Sequence, residues 1–198
     1  DCSKKSSICP SKTLSGFDFD VISSFGVWHF LYCVTENNSI NNLINFLIMK
    51  KRILIISPHP DDETLSVGGM ISKFTSSGAE FFILTVSGHM PPLYSEKDYK
   101  TTIKEAEEAY KVLGVTNYEF LNIPATMVSN EPVHELNGKI SSIISDFLPE
   151  IVLIPFPDRH IDHRVIFESS MVATRPVGDG KKIEIVASYE TLSETKAL

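Results

Sequence analysis

The feature that most constrains the fold is a regular alternation, from residue 52 onward, of short apolar runs with longer segments of helical periodicity. Residues 53–57 form the clearest run, which is followed by a proline and is typical of a strand buried on both faces of a parallel sheet. Residues 65–77 carry apolar side chains at helical spacing and are followed by Gly78, which predicts a helix with a glycine C-terminal cap.

The same alternation continues to the end of the chain. Ser95 is a candidate N-cap and Gly114 a stop signal for the longest predicted helix. Strands that alternate with helices predict an α/β fold, with a Rossmann-like, doubly wound, mainly parallel sheet and helices on both faces. Ligands of such sheets bind at the carboxyl ends of the strands. The further predicted strands are residues 81–86, 118–121, 151–155 and 183–188, and the further predicted helices are residues 95–113, 134–147 and 164–173.

The composition of the chain changes at Met49. The preceding residues are rich in serine, lysine and cysteine, then in aromatic residues, and then in asparagine, and they contain no motif. We therefore expect residues 1–48 to be an N-terminal extension without an assigned function, and residues 49–198 to be one domain. A chain that starts at Met49 is expected to fold without the extension.

Charge and cysteine placement exclude several classes of protein. The formal net charge of −7 disfavours nucleic acid as a partner, because phosphate binding needs clustered lysine and arginine. No apolar run reaches the ~20 residues that span a bilayer, and Asp18 and Asp20 lie where the apolar block of a secretory signal would begin. We expect a cytoplasmic protein. All cysteines precede residue 49, so a metal site in the later domain must use histidines and carboxylates.

Two loops that directly follow predicted inner strands hold nearly every candidate catalytic side chain. Residues 57–63 read Ser-Pro-His-Pro-Asp-Asp-Glu, and residues 157–163 read Pro-Asp-Arg-His-Ile-Asp-His. Either loop alone is compatible with helix capping or with polar surface. Because the carboxyl ends of parallel strands share one edge of a sheet, the two loops together favour a functional site.

The first of these loops supplies a predicted metal-binding pair. His59 and Asp62 are three residues apart at a strand-to-helix turn, so both side chains can reach one ion at ~2.0–2.2 Å. His163 in the second loop is the predicted third ligand. Two histidines, a carboxylate and a water form the open site of catalytic zinc, although other divalent ions accept the same ligands. Asp61, beside that water and not bound to the metal, is the predicted general base.

Residues 58–63, the glycines at 68 and 69, and residues 160–163 resemble the signature of the LmbE-like, or PIG-L, N-acetylglucosaminyl deacetylase family of bacterial type. The similarity extends from Lys50 to about Glu194. The resemblance implies one zinc ion per chain and hydrolysis of the acetyl amide of an N-acetylated amino sugar or a glycoconjugate, which would be a small-molecule partner.

The resemblance also implies a role for each residue of the two motifs. It assigns zinc binding to His59, Asp62 and His163, and the general base to Asp61. In the family the first histidine of the second motif helps to stabilise the oxyanion and protonates the leaving amine. Those roles fall to His160 here, and Asp162 would orient a neighbouring imidazole.

The loops that would contact the substrate depart from the family pattern. Many members carry an arginine after the second strand and an aspartate after the third, whereas residues 85–89 and 123–126 here read Thr-Val-Ser-Gly-His and Ile-Pro-Ala-Thr. His89, Arg159 and Arg175 are the candidate substrate contacts, with plain surface as the alternative. The sequence ends soon after Thr195, which suggests a truncated member.

Two other functions are compatible with parts of the pattern. A catalytically impaired, Rossmann-like binding module for a small molecule would share the crevice, but it would have no need for Asp61 beside the metal ligands. A nucleotide-binding oxidoreductase is disfavoured because the first strand-to-helix turn lacks Gly-x-Gly-x-x-Gly. The sequence is compatible with a homo-oligomer and does not determine the oligomeric state.

Overall fold

The computed structural model describes residue 48 and residues 50–191, so the predicted extension lies almost entirely outside the described residues. The strands are β1 (Arg52–Ser57), β2 (Glu80–Gly88), β3 (Asn117–Pro124), β4 (Ile151–Pro155) and β5 (Ile185–Tyr189). The α-helices are α1 (Asp62–Thr75), α2 (Glu96–Leu113), α3 (Val133–Phe147) and α4 (Ile161–Ala173). Short 3-10 turns occupy Val128–Asn130 and Gly178–Lys182.

The five strands form one sheet in the order β3-β2-β1-β4-β5, and every neighbouring pair is parallel. The central strand β1 pairs Ile55 with Ile83 of β2 on one side and with Leu153 of β4 on the other. The predicted doubly wound fold is confirmed. The chain moves outward from β1 to β3 and then returns to β4, so the winding changes direction between β1 and β4. In an open α/β sheet, the ligand crevice lies at such a point.

Alternate residues of the strands enter two separate apolar cores, because successive side chains of a strand point to opposite faces. Ile55 of β1 belongs to the core that α1 and α2 cover, where Ile71 and Tyr110 are also buried. Leu54 of β1 belongs to the opposite core, which α3 and α4 cover. With both faces of β1 packed against apolar side chains, only the two ends of the strand are available for polar chemistry.

The predicted capping residues mark both ends of one helix but not the end of another. Ser95 caps α2 as predicted, since its side chain accepts a hydrogen bond from Asp98 N and Asp98 accepts one from Ser95 N. Gly114 ends α2 in the left-handed conformation, with φ of 78°. By contrast, α1 ends at Thr75, before the predicted stop at Gly78.

Two helices begin three residues earlier than predicted. α1 begins at Asp62 and α4 at Ile161, instead of residues 65 and 164. Their first turns consist mainly of polar residues, which carry no apolar period for a sequence pattern to detect. Within the described part of the chain, no helix combines the length and the apolar character that a membrane span requires.

Candidate active site

The loops after β1 and β4 bring the three predicted metal ligands together. Asp62 Oδ2 lies 3.1 Å from His59 Nδ1 and 3.2 Å from His163 Nε2. All three residues are buried. Ligand atoms placed tetrahedrally around an ion at ~2.0–2.1 Å are roughly 3.3 Å apart, so these two distances are close to two edges of a zinc tetrahedron.

The second ring nitrogen of each of these histidines faces a different carboxylate. His59 Nε2 lies 3.2 Å from Asp162 Oδ2, and His163 Nδ1 lies 2.7 Å from Asp158 Oδ2. If an ion were bound between Asp62 and the inner nitrogens, a neutral imidazole in either position would keep its proton on the outer nitrogen, because the outer carboxylate only accepts hydrogen bonds. The inner nitrogen, which faces Asp62, then offers a lone pair. His163 Nε2 is buried and has no hydrogen-bond partner among the described residues. This donor set fits a metal ion.

His160 offers an alternative third ligand. Ring nitrogens of His59, His160 and His163 lie within 4.8 Å of one another, so this group could bind a metal. However, His160 Nδ1 accepts a hydrogen bond of 3.2 Å from the backbone N–H of Asp162. The neutral ring therefore carries its proton on Nε2, and a protonated nitrogen does not bind a metal. The hydrogen bond favours His160 as a donor to a substrate and Asp62 as the third ligand.

The charges of this cluster stabilise one another. Burial alone would lower the pKa of His59, but hydrogen bonds to Asp162 and Asp62 outweigh it and raise that pKa to about 9. Burial would also lower the pKa of His163, but contacts with Asp62 and Asp158 outweigh burial and raise that pKa. Close contacts with both histidines hold the pKa of Asp62 well below its usual range despite burial. The buried carboxylates thus require cationic partners, which are either protons on the imidazoles or a metal ion.

Asp61 is exposed at the mouth of the crevice and is not used in capping. It occupies the N-cap position of α1, yet its side chain makes no cap hydrogen bond. Loss of hydration at its carboxyl group, together with the negative charge of Asp62, raises the pKa of Asp61, while His59 and His89 oppose that rise. The carboxylate is therefore both accessible and more basic than a free aspartate.

Asp162 connects three loops at the bottom of the crevice. Besides the contact with His59, its Oδ2 accepts hydrogen bonds from Thr126 N at 2.6 Å and from Ser87 Oγ at 3.4 Å. Thr126 lies in the left-handed region with φ of 67°, which is unfavourable for a residue with a Cβ atom. Asp162 therefore holds the turn after β3 in place, and it orients the imidazole of His59 from the same oxygen.

Asp158 is a site residue to which the sequence analysis gave no role. Its side chain is only 1% exposed, and its Oδ1 accepts a 2.8 Å hydrogen bond from His160 N while Oδ2 contacts His163. One signal was available: a metal-binding histidine generally places its other nitrogen on a carboxylate, and Asp158 is the acidic residue at the start of the second loop.

Glu63 forms a second buried contact below His59. Ser57 Oγ lies 2.8 Å from the carbonyl oxygen of His59 and 2.7 Å from Glu63 Oε2. The hydroxyl has one proton, so if it donates to the carbonyl, the carboxyl of Glu63 must donate to Ser57. Complete burial raises the pKa of Glu63, in agreement with a neutral carboxyl. The pair fixes the backbone that carries His59.

The three predicted substrate contacts occupy different places. The ring of His89, after β2, lies parallel to that of His59, with the centroids 6.2 Å apart. Arg159 is exposed in the loop after β4. Arg175 follows the C-terminal end of α4, roughly 18 Å of helix away from His163. Its Nε donates to the carbonyl of Val172. The structure therefore brings His89, but not Arg175, next to the candidate metal ligands.

The chain is similar to known deacetylases. The family profile described as PIG-L, GlcNAc-PI de-N-acetylase, matches residues 54–174. Diacetylchitobiose deacetylase of Thermococcus kodakarensis is 32% identical over 123 residues, which cover 58% of this chain and 45% of the relative. A 1D-myo-inositol 2-acetamido-2-deoxy-alpha-D-glucopyranoside deacetylase of Thermomonospora curvata is 26% identical over 184 residues, or 75% of this chain and 62% of the relative.

A solved structure shares the fold. N,N'-diacetylchitobiose deacetylase from Pyrococcus horikoshii superposes with a TM-score of 0.57 at 21% identity, covering 80% of this chain and 64% of that chain. The present chain spans about half the length of the curated relatives it matches. Those relatives are deacetylases of substrates that contain N-acetylated amino sugars.

Proposed function

Because this chain belongs to the PIG-L family, we propose that it is a metal-dependent hydrolase that removes an acetyl group from the amide nitrogen of an N-acetylated amino sugar or its conjugate. One observation carries the proposal. His59 and His163 each place one ring nitrogen on a buried carboxylate and the other nitrogen beside Asp62 Oδ2. A site that only bound a small molecule through hydrogen bonds would have no need for two imidazoles oriented in this way.

The proposed ligands are His59, Asp62 and His163, and the proposed ion is zinc, one per chain. Two imidazole nitrogens and one carboxylate oxygen are a ligand set of catalytic zinc. When bound, the ion would supply Lewis-acid polarisation of the acetyl carbonyl and would lower the pKa of a nearby water. Asp158 and Asp162 would hold the imidazoles in the correct tautomers, and their negative charges would strengthen the nitrogens as ligands.

Asp61 is the proposed general base. Its exposed carboxylate makes no cap hydrogen bond, and its raised pKa brings it closer to the pH at which a base both accepts and returns a proton. Asp61 takes a proton from the attacking water as the oxygen of that water bonds to the acetyl carbon. The C–N bond then breaks, the amine nitrogen receives a proton, and acetate and a free amine leave.

His160 is the proposed oxyanion donor. Since Nδ1 accepts the backbone N–H of Asp162, the neutral ring presents Nε2–H as a donor to the negative oxygen of the tetrahedral intermediate. A full proton transfer from His160 to the amine requires a charged imidazolium, which would break the hydrogen bond to Asp162 N. We therefore assign the return of the proton to Asp61 and keep the amine-donor role of His160 as the alternative.

Metal content and acetate release test the proposal together. The full chain is treated with chelator, reloaded with zinc, and incubated with N-acetylglucosamine, N,N'-diacetylchitobiose and other N-acetylated sugars, while acetate and free amine are measured. We expect about one zinc per chain and release of acetate that depends on the metal. Zinc uptake without release from any sugar would favour a binding module, and no zinc uptake would overturn the assigned site.

A further inference from the structure

The loop between β2 and α2 exposes aromatic surface beside a polar crevice. The ring centroids of His89 and Tyr94 are 4.5 Å apart, with the planes tilted by 58°. Tyr94 remains 43% exposed, and Leu93 before it is 56% exposed. Exposed apolar groups that are clustered at a crevice, instead of being scattered singly over the surface, indicate a binding surface.

This loop is held firmly at both ends. At the start, Gly88 O accepts a 2.9 Å hydrogen bond from Ala125 N, and a Cβ atom on Gly88 would lie 3.0 Å from the ring of Tyr99. At the end, Tyr94 precedes Ser95, the residue that caps α2. A residue in that position often packs on its own helix, but the ring of Tyr94 contacts His89 on the crevice side.

The aromatic pair is continuous with the candidate metal site. The rings of His89 and His59 are parallel to within 1°, with centroids 6.2 Å apart, a separation within the ~4.5–7 Å range of packed rings. Asp61 lies in the same tight turn as His59, since its N–H donates a 2.9 Å hydrogen bond to the carbonyl oxygen of His59. A group that lies on His89 and Tyr94 is therefore adjacent to the proposed base and to one proposed ligand.

We propose that His89 and Tyr94 form an aromatic subsite that packs against the apolar C–H face of the pyranose ring bearing the N-acetyl group. This inference rests on the proposed function. The ring bonded directly to the amide nitrogen is the part of the substrate that must lie next to Asp61 and His59, whereas a more distant aglycone would extend beyond them. Aromatic side chains bind the C–H face of a sugar and leave its hydroxyl groups in water.

Kinetics of Tyr94 variants test the subsite with the zinc-loaded full chain. Tyr94→Ala is expected to raise KM for N-acetylglucosamine by about three- to tenfold, with little change in kcat. This is the loss of affinity expected when one aromatic contact is removed. Tyr94→Phe keeps the ring and should match the unmodified chain. N-acetylethanolamine has the amide without the sugar ring, so its hydrolysis should be the same in all three proteins. Val112→Ala, an 84% exposed residue far along α2, is the matched control.

Saturation-transfer NMR with N-acetylglucosamine separates failure of the subsite from failure of the proposed function. We expect transfer to the C–H protons of the ring, which Tyr94→Ala weakens and Tyr94→Phe preserves. Transfer with this pattern but no acetate release would overturn the deacetylase proposal and leave the subsite standing. Acetate release with unchanged KM and unchanged transfer in Tyr94→Ala would overturn the subsite alone. Absence of both transfer and acetate release would overturn both.

Discussion

The two halves of the crevice differ in charge, burial and backbone conformation. The β1/β4 half, which contains His59, Asp62, Asp158 and His163, is buried, and each of its charged groups contacts a group of opposite charge. The β2/β3 half, which contains His89, Tyr94 and Thr126, is more exposed and uses an aromatic pair and a left-handed turn. Mutual contacts fix the chemistry of the first half, whereas the exposed side chains of the second half can change without disturbing buried charges.

The largest effect, a loss of turnover, is expected at Asp61. This proposed base adjoins the β1/β4 half but is not part of its buried network. Asp61→Asn should lower kcat by about 10²–10⁴, the usual value of general base catalysis, and should leave zinc content unchanged. Acetate release and elemental analysis on the same sample measure both. Asp146→Asn, which changes an exposed carboxylate of α3, is the control. Loss of zinc in Asp61→Asn would instead make Asp61 a ligand, and intact turnover would show that Asp61 is not the base.

A large effect of pH on stability is expected in the metal-free protein. The folded pKa of His59 is about 9, above its usual 6.5, so its stabilising contribution is complete below about pH 6.5 and is lost as the pH rises through 9. The loss is on the order of 3 kcal/mol in the free energy of unfolding. Urea denaturation of chelator-treated protein at several pH values between these limits measures it.

The raised pKa of His163 adds to the same loss. His59→Gln should flatten the pH profile, and saturating zinc should remove the loss by replacing the protons. A metal-free protein that is equally stable across this interval would show that the two imidazoles are not charged in the folded state. The buried carboxylates of the β1/β4 half would then have to be protonated in the metal-free protein, since no cation would balance them.

An intermediate effect is expected for the carboxylate behind His163. Asp158→Asn removes a negative charge from a side chain that is 1% exposed and weakens the hydrogen bond to His163 Nδ1. Zinc affinity should fall by about 10–100-fold, as for other carboxylates that support a metal-binding histidine. Titration against a competing chelator measures the change, with Asp179→Asn, a surface partner of Lys182, as the control. An unchanged affinity would separate Asp158 from the metal site.

The smallest effect is expected in the β2/β3 half. Thr126→Gly relieves a left-handed conformation and should raise the free energy of unfolding by about 0.5–1 kcal/mol, after the entropy of glycine in the unfolded chain is included. Thr116→Gly, at an exposed residue outside the left-handed region, should lower it by a similar amount. Equal destabilisation by both substitutions would show that Asp162 compensates fully for the strain at Thr126.

The sequence predicted most of the fold because buried strands and helices have characteristic spacings of apolar residues. The apolar runs gave all five strands, and Ser95 and Gly114 marked the two ends of α2. The starts of α1 and α4 were placed too late, since their first turns carry polar residues of the crevice. A helix that begins inside a site loses the apolar period by which a helix is recognised.

The sequence also predicted which two loops meet, because the carboxyl ends of neighbouring parallel strands lie at one edge of the sheet. It did not predict the partners of individual atoms. The contacts of Asp158 with His163, and of Tyr94 with His89, depend on side-chain rotamers and loop paths that no spacing rule encodes. Sequence motifs therefore do not reveal side chains that contact another residue of the site, such as a proposed metal-binding histidine, instead of the metal or the substrate.

Asp162 makes the two halves of the crevice energetically inseparable. One oxygen of this residue contacts His59 on one side and Thr126 and Ser87 on the other. A substitution at Ser87 and one at His59 should therefore show a coupling energy in a double-mutant cycle, since both residues share one acceptor. A new substrate loop after β3 would have to preserve its backbone donor to Asp162, so variation in specificity is confined to side chains while the path of that turn stays fixed.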